Sequence, residues 1–109
     1  MQVNFYQNDN GSEPVRNWLK SLEKKDRKTI GEDIKTLQHG WPVGMPLVRS
    51  LDKNLLEVRS KIRAGCVRVI FTIFEDRIIL LHGFIKKRQK TPKRELELSR
   101  KRLRKFLIN

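Results

Sequence analysis

Three cations in the middle of the chain fall into a pattern that could handle a phosphate. From Leu55 to Phe74, residues rich in β-branched and aromatic types run on either side of Ala64-Gly65, which reads as a hairpin turn. With that loop, Arg63 is opposite Cys66, Lys61 opposite Arg68 and Glu57 opposite Thr72. Alternation then puts Leu56, Val58, Ile62, Val67, Val69, Phe71 and Ile73 on one apolar face, and Glu57, Arg59, Lys61 and Arg68 on the other. Like charges side by side in a sheet repel, so this face needs something anionic to compensate it. Lys86 and Lys87 follow a third strand, Ile78 to Ile85, and a middle strand with both partners beside it brings all five cations towards one edge. Such a cluster binds phosphates, and it can stabilise the extra charge of a phosphorane during RNA cleavage. The plainer alternative pairs Arg59 with Glu57 on its own face and leaves Lys61 as an edge charge that blocks aggregation.

Other catalytic patterns are missing. The two histidines, His39 and His82, show no HxxxH or HExxH spacing, so no metal site is expected. His39 precedes Gly40 at a helix end, where a cation complements the helix dipole. His82 lies in an apolar strand and by simple alternation faces the core with Leu80 and Phe84, as a hydrogen-bonded core histidine rather than a general base. Neither GxxxxGK nor GxGxxG occurs. The single cysteine, Cys66, excludes an internal disulfide and a Cys-based zinc site, suits a reducing compartment, and has no histidine at a spacing that marks a thiol nucleophile. Trp18 and Trp41 read as core and loop anchors before they read as base-stacking platforms, with Trp41 left open by its loop position.

The elements that must position the cations are legible in the periodicity. Val3 and Phe5 alternate with polar neighbours, a short first strand. Ser12 can cap a helix with Pro14 in its first turn, and Val15, Trp18, Leu19 and Leu22 form its stripe. A second helix from Asp26 carries Ile30, Ile34 and Leu37 and ends at Gly40 and Pro42, although Gly31 costs it about 1 kcal/mol against Ala. Residues 40–46, with two prolines, read as an ordered loop. The three strands follow as an antiparallel meander, separated by Ala64-Gly65 and Glu75-Asp76. A third helix from about Pro92 has Leu96, Ser99, Leu103 and Phe106 or Leu107 on one stripe and Arg and Lys elsewhere. The order implies a single α+β domain of 109 residues, a length too short for a second core.

Charge is concentrated at one end. The chain has 25 Lys and Arg against 12 Asp and Glu, a net +13, and residues 86–109 alone carry eleven basic and two acidic side chains. Clustered cations of this kind favour a polyanionic partner, nucleic acid first, with a solvated helix face or an acidic protein as the bland alternatives. At 38% hydrophobic residues the composition is too apolar for charge-driven disorder. The longest aliphatic run, Ile78 to Leu81, is four residues, and the first residues lack a signal-peptide layout, so a cytoplasmic protein away from membranes is expected.

With these residues placed, a resemblance emerges. Leu56-Glu57-Val58-Arg59, Arg68-Val69-Ile70-Phe71 and Leu80-Leu81-His82-Gly83-Phe84-Ile85-Lys86-Lys87 resemble the core of the RelE/HigB-like toxins of bacterial type II toxin–antitoxin pairs. With Pro14-Val15-Arg16-Asn17-Trp18-Leu19 and the run from Lys86 through Thr91-Pro92, the chain is most similar to the phage-derived HigB-like branch, over roughly residues 3 to 105. The resemblance implies a compact α+β fold and a ribosome-dependent, metal-independent mRNA endonuclease that needs no cofactor. In it the ribose 2′-hydroxyl attacks the adjacent phosphate and protein cations stabilise the charge. By position it implies catalytic roles for Arg59, Lys61, Arg68, Lys86 and Lys87, and RNA contacts for Arg63, Arg88, Lys90 and Lys93. It also implies a cognate antitoxin, usually of helix-turn-helix type. One departure stands out: relatives often carry a C-terminal tyrosine, whereas the one tyrosine here is Tyr6. Proton transfer would then rest on Lys, Arg, the RNA or ribosomal groups. A ParE-like gyrase poison and a non-catalytic basic nucleic-acid-binding protein are the competing readings, since one scaffold hosts several functions.

Overall fold

Alternation and turn chemistry organise the chain into one five-stranded sheet with helices on both faces. The structure, a computed structural model, describes residues 1–86 and 91–108. The elements are β1 (Gln2–Phe5), α1 (Pro14–Ser21), α2 (Lys24–Gly40), β2 (Val48–Asp52), β3 (Leu55–Ile62), β4 (Gly65–Phe74), β5 (Arg77–Lys86) and α3 (Lys93–Ile108). The strand order is β1-β5-β4-β3-β2, antiparallel throughout except that β1 runs parallel to β5. The expected α+β class holds.

The apolar face expected for β3 and β4 is the one that the first two helices cover. Val15 of α1 and Ile30, Ile34 and Leu37 of α2 pack on Val58, Val67, Val69, Phe71, Ile78 and Leu80. Phe71 is fully buried under the edge of the Trp41 ring, so Trp41 anchors its loop as expected. Burying each large apolar side chain of this kind is worth about 1.5–3 kcal/mol against leaving it in water. Trp18 lies against Gly83, where any side chain would overlap the indole. On the opposite face Leu103, with Leu96 and Phe106 beside it, seals a second core of Tyr6, Leu55, Ile70, Ile79 and Leu81. Phe106, and not the exposed Leu107, completes the α3 stripe.

Several local expectations need correction. A strand, β2, occupies Val48–Asp52, a stretch that the sequence reading left without an element. Val48 and Leu51 flank two polar residues there, and Arg49 and Ser50 remain exposed because β2 is an edge strand that needs only one buried side. The hairpin between β3 and β4 turns at Arg63-Ala64, one residue earlier than expected. Its register pairs Ile62 with Gly65, Lys61 with Cys66, Arg59 with Arg68 and Glu57 with Ile70. Gly65 takes φ of 150°, so the glycine serves as the first residue after the turn, where the special backbone geometry falls, and not inside it. Because the shift is by an even number, the two faces keep their residues while every cross-strand partner changes. The turn at Glu75-Asp76 stands as expected, with both residues at positive φ and Phe74 paired with Arg77.

Helix starts also differ slightly. Glu13, and not Ser12, holds the N-cap position of α1, with Pro14 opening the helix; the Ser12 hydroxyl instead accepts from Asn8 Nδ2. The second helix begins two residues before Asp26. His39 lies in its last turn, as read. Among the described residues, no helix is long and apolar enough to cross a membrane.

Candidate nucleic-acid interface

The sheet face under the N-terminal end of α3 gathers four of the five cations expected to be catalytic, Arg59, Lys61, Arg68 and Lys86. Register places them in rows across neighbouring strands. Glu57 of β3 lies beside Arg49 of β2 and Ile70 of β4; Arg59 lies opposite Arg68; and Lys61, Cys66 and Lys86 form the next row across β3, β4 and β5. Alternation keeps all of these on one face, because each row is two residues along from the last. Like charges therefore do stand directly opposite one another, as Arg59 and Arg68, and not as Lys61 and Arg68.

Glu57 is what makes that tolerable. It is fully buried, and its Oε1 lies 3.5 Å from Nη1 of Arg68, which is itself only 3% exposed. The alternative pairing of Glu57 with Arg59 is thus replaced by a cross-strand pair. The Thr91 hydroxyl donates to the other carboxylate oxygen of Glu57 at 3.3 Å. The pair does not exhaust its groups: Nε and Nη1 of Arg68 and Oε1 of Glu57 are buried without a well-formed hydrogen bond among the described residues. Buried guanidinium hydrogens in that state suit an acceptor-rich anion, and phosphate oxygens fit them bidentately.

Lys86, 4% exposed, completes the floor. Burial holds its ammonium below the usual lysine pKa; Glu57 opposes that, while Arg49 and Arg59 reinforce it. Arg59 is half-buried and Lys61 exposed at the rim. Both line an open hollow of about 550 Å³ together with Thr29, Asp33, Pro46, Leu47 and Cys66. A larger hollow, about 620 Å³, lies at the opposite edge of the sheet beside β1 and holds none of the expected cations.

Not every expected residue joins the group. Arg63 sits in the exposed turn between β3 and β4. Lys93 begins α3 on its outer surface, 3.8 Å from Glu97. Lys87, Arg88 and Lys90 lie outside the described residues. Sequence reasoning missed Arg49, because it missed β2, and it undervalued Glu57. The signal for Glu57 was present: a buried acid in a row of cations is the compensation that opposed like charges demand.

His82 is the hydrogen-bonded, mostly buried histidine expected, but on the other face. A bulge between Ile70 and Phe71 breaks the alternation in β5, so Leu80 packs towards α1 and α2 while His82 stacks on Phe84 under α3. Its Nε2 lies 3.1 Å from Glu95 Oε2, and its Nδ1 lies 3.3 Å from Nη1 of Arg102, which also donates to Leu81 O at 2.7 Å. Arginine can only donate, so Nδ1 accepts and Nε2 carries the proton towards Glu95. That geometry belongs to a neutral ring that ties β5 to α3.

No curated protein matches the chain closely enough to count as a relative. The family of phage-derived Gp49-like proteins (DUF891) matches residues 17–104, a span that takes in the second half of α1, all of α2, all four antiparallel strands with their cation rows, and most of α3. The chain belongs to the phage-derived Gp49-like family.

Proposed function

We propose that the protein is the toxin of a toxin–antitoxin pair, of RelE/HigB-like type, and that it cuts mRNA on the ribosome without a metal. The observation that carries this reading is the buried Arg68 guanidinium, with two nitrogens lacking well-formed hydrogen bonds among the described residues, set opposite Arg59 and one row from Lys86, with Glu57 as the buried carboxylate beside it. In the reaction the ribose 2′-hydroxyl gives its proton to water or to an RNA or ribosomal group as its oxygen attacks the neighbouring phosphorus, the bond to the 5′-oxygen breaks, and a 2′,3′-cyclic phosphate and a 5′-hydroxyl result. Arg68 and Arg59 face the charge that develops on the phosphorane oxygens. Lys86, made more acidic by burial, delivers a proton to the departing 5′-oxygen. Lys61 at the rim guides the strand in. The partner we assign is a small antitoxin with an acidic surface that covers the cation rows.

The test is induced expression in bacteria with transcripts mapped for new 5′ ends. Arg59→Ala is the first variant, since Arg59 is only half-buried. Arg68 needs more care, because Arg68→Ala alone strands the Glu57 carboxylate, and growth could return through unfolding. Arg68→Gln combined with Glu57→Gln removes both charges together. Growth arrest with cuts inside translated codons, lost in both variants, is the expected result. Arrest with intact messages and damaged DNA would move the assignment to a gyrase poison, and RNA binding without arrest would leave a basic binding module.

A further inference from the structure

The strand β2 adds a cation to the site. Arg49 is the register partner of Glu57, so its side chain leaves the sheet on the face of Arg59 and Arg68, and it is exposed where Arg68 and Lys86 are buried. Its charge is felt at the floor, where Arg49 and Arg59 both disfavour protonation of Lys86. The register lays the cations out as a diagonal band. Arg49 stands in the first row on β2, Arg59 and Arg68 in the second on β3 and β4, and Lys61 and Lys86 in the third on β3 and β5. Rows on one face are about 6.6 Å apart and strands about 4.8 Å apart. Diagonal neighbours such as Arg49 and Arg59 therefore start about 8 Å apart at the backbone, a separation that two long side chains can close onto successive phosphates of an extended single strand. Among the described residues Glu57 is the buried carboxylate on this face and Asp33 borders the hollow beside Arg59 and Lys61, two acids against five cations.

We infer that the band seats consecutive phosphates of a single-stranded RNA, with Arg49 holding the phosphate next to the one held by Arg59 and Arg68. The inference rests on the nuclease reading of the same site and adds how much of the strand is gripped. Phosphate contacts fix register without reading bases, so Arg49 positions the strand and leaves base choice to other groups.

A short RNA carrying 2′-O-methyl groups throughout has no nucleophilic hydroxyl and serves as the probe, followed by fluorescence anisotropy over a series of salt concentrations. Each phosphate neutralised on a single strand contributes about −0.7 to the slope of log affinity against log salt. Arg49→Ala is expected to bind several-fold more weakly at low salt and to lose about 0.7 of that slope, while Arg49→Lys keeps it. Lys35→Ala, on the exposed side of α2 and away from the band, is the control expected to match wild type. Equal affinity and slope for Arg49→Ala and wild type, with binding weakened by Arg59→Ala, would overturn the inference and leave the nuclease reading standing. Failure of the wild-type protein to bind the probe at low salt would overturn it as well. The nuclease reading would then be decided separately, by the mapped message ends.

Discussion

Arg68 and Glu57 meet inside the sheet, where removing one partner of an ion pair leaves the other charged and out of water. Arg68→Ala is therefore expected to cost about 3–5 kcal/mol of stability, whereas Arg68→Gln with Glu57→Gln costs much less; chemical denaturation of the two variants side by side checks this. Lys86 permits a separate test of chemistry. Arg keeps the charge but holds its proton too tightly to give it up, so Lys86→Arg should retain RNA affinity while the single-turnover cleavage rate falls about 100-fold or more. His82 carries a pH dependence. Burial lowers its pKa below the unfolded value near 6.5, so the unfolded chain takes up a proton at a pH where the folded chain does not. Stability is then fully present above about pH 6.5 and declines as pH falls from there towards the folded pKa; His82→Gln should flatten that stretch of a stability-against-pH curve. At this scale the sequence was informative about residue types and poor about partners. Arg59, Lys61 and Arg68 were identifiable from alternation, and Lys86 only from its place after the third strand, which in fact runs on to include it; which cation meets Glu57 depended on a hairpin register that one residue of turn geometry decides.

Elements show the same division between face and neighbour. The apolar stripes of α1, α2 and the β3–β4 pair are period signals that survive errors in register, and each buries the side expected of it. β2 was missed because an edge strand needs only one partner and one buried side, and Val48–Asp52 alternates weakly. The bulge in β5 was equally invisible, since nothing in an unbroken apolar run marks where alternation slips. Gly83 is the position where one element depends most directly on another, because β5 must lie bare for the Trp18 indole of α1 to rest on it. Gly83→Ala forces the ring away and is expected to destabilise the fold by about 1–3 kcal/mol. Thermal unfolding should show it as a drop of about 4–8 °C for each kcal/mol. Trp18→Leu in the same background should recover part of the loss, since a smaller side chain leaves room for the methyl group.

At the scale of the whole molecule, the net charge of +13 is not spread evenly, and the expected partner responds to that. Association with the proposed antitoxin should be steered by charge, so its rate constant, measured by stopped flow, should fall steeply as ionic strength rises. A rate indifferent to salt would remove the electrostatic account of partner choice. The two cores on opposite faces of one sheet share β5 and β4 between them, so α3 and the first two helices stabilise the cation rows from both sides. The order of the strands has a consequence in time. Gln2 pairs with Arg77 and Phe5 with Leu80, in parallel, so β1 cannot find its place until β5, far downstream of it, exists. Contacts between such distant parts of a chain form late, after the local hairpins have closed. During translation β1 must wait unpaired until β5 has emerged, and only then is the five-stranded sheet completed. The site proposed above draws Lys86 from that same β5, so it too is incomplete until the strand has emerged.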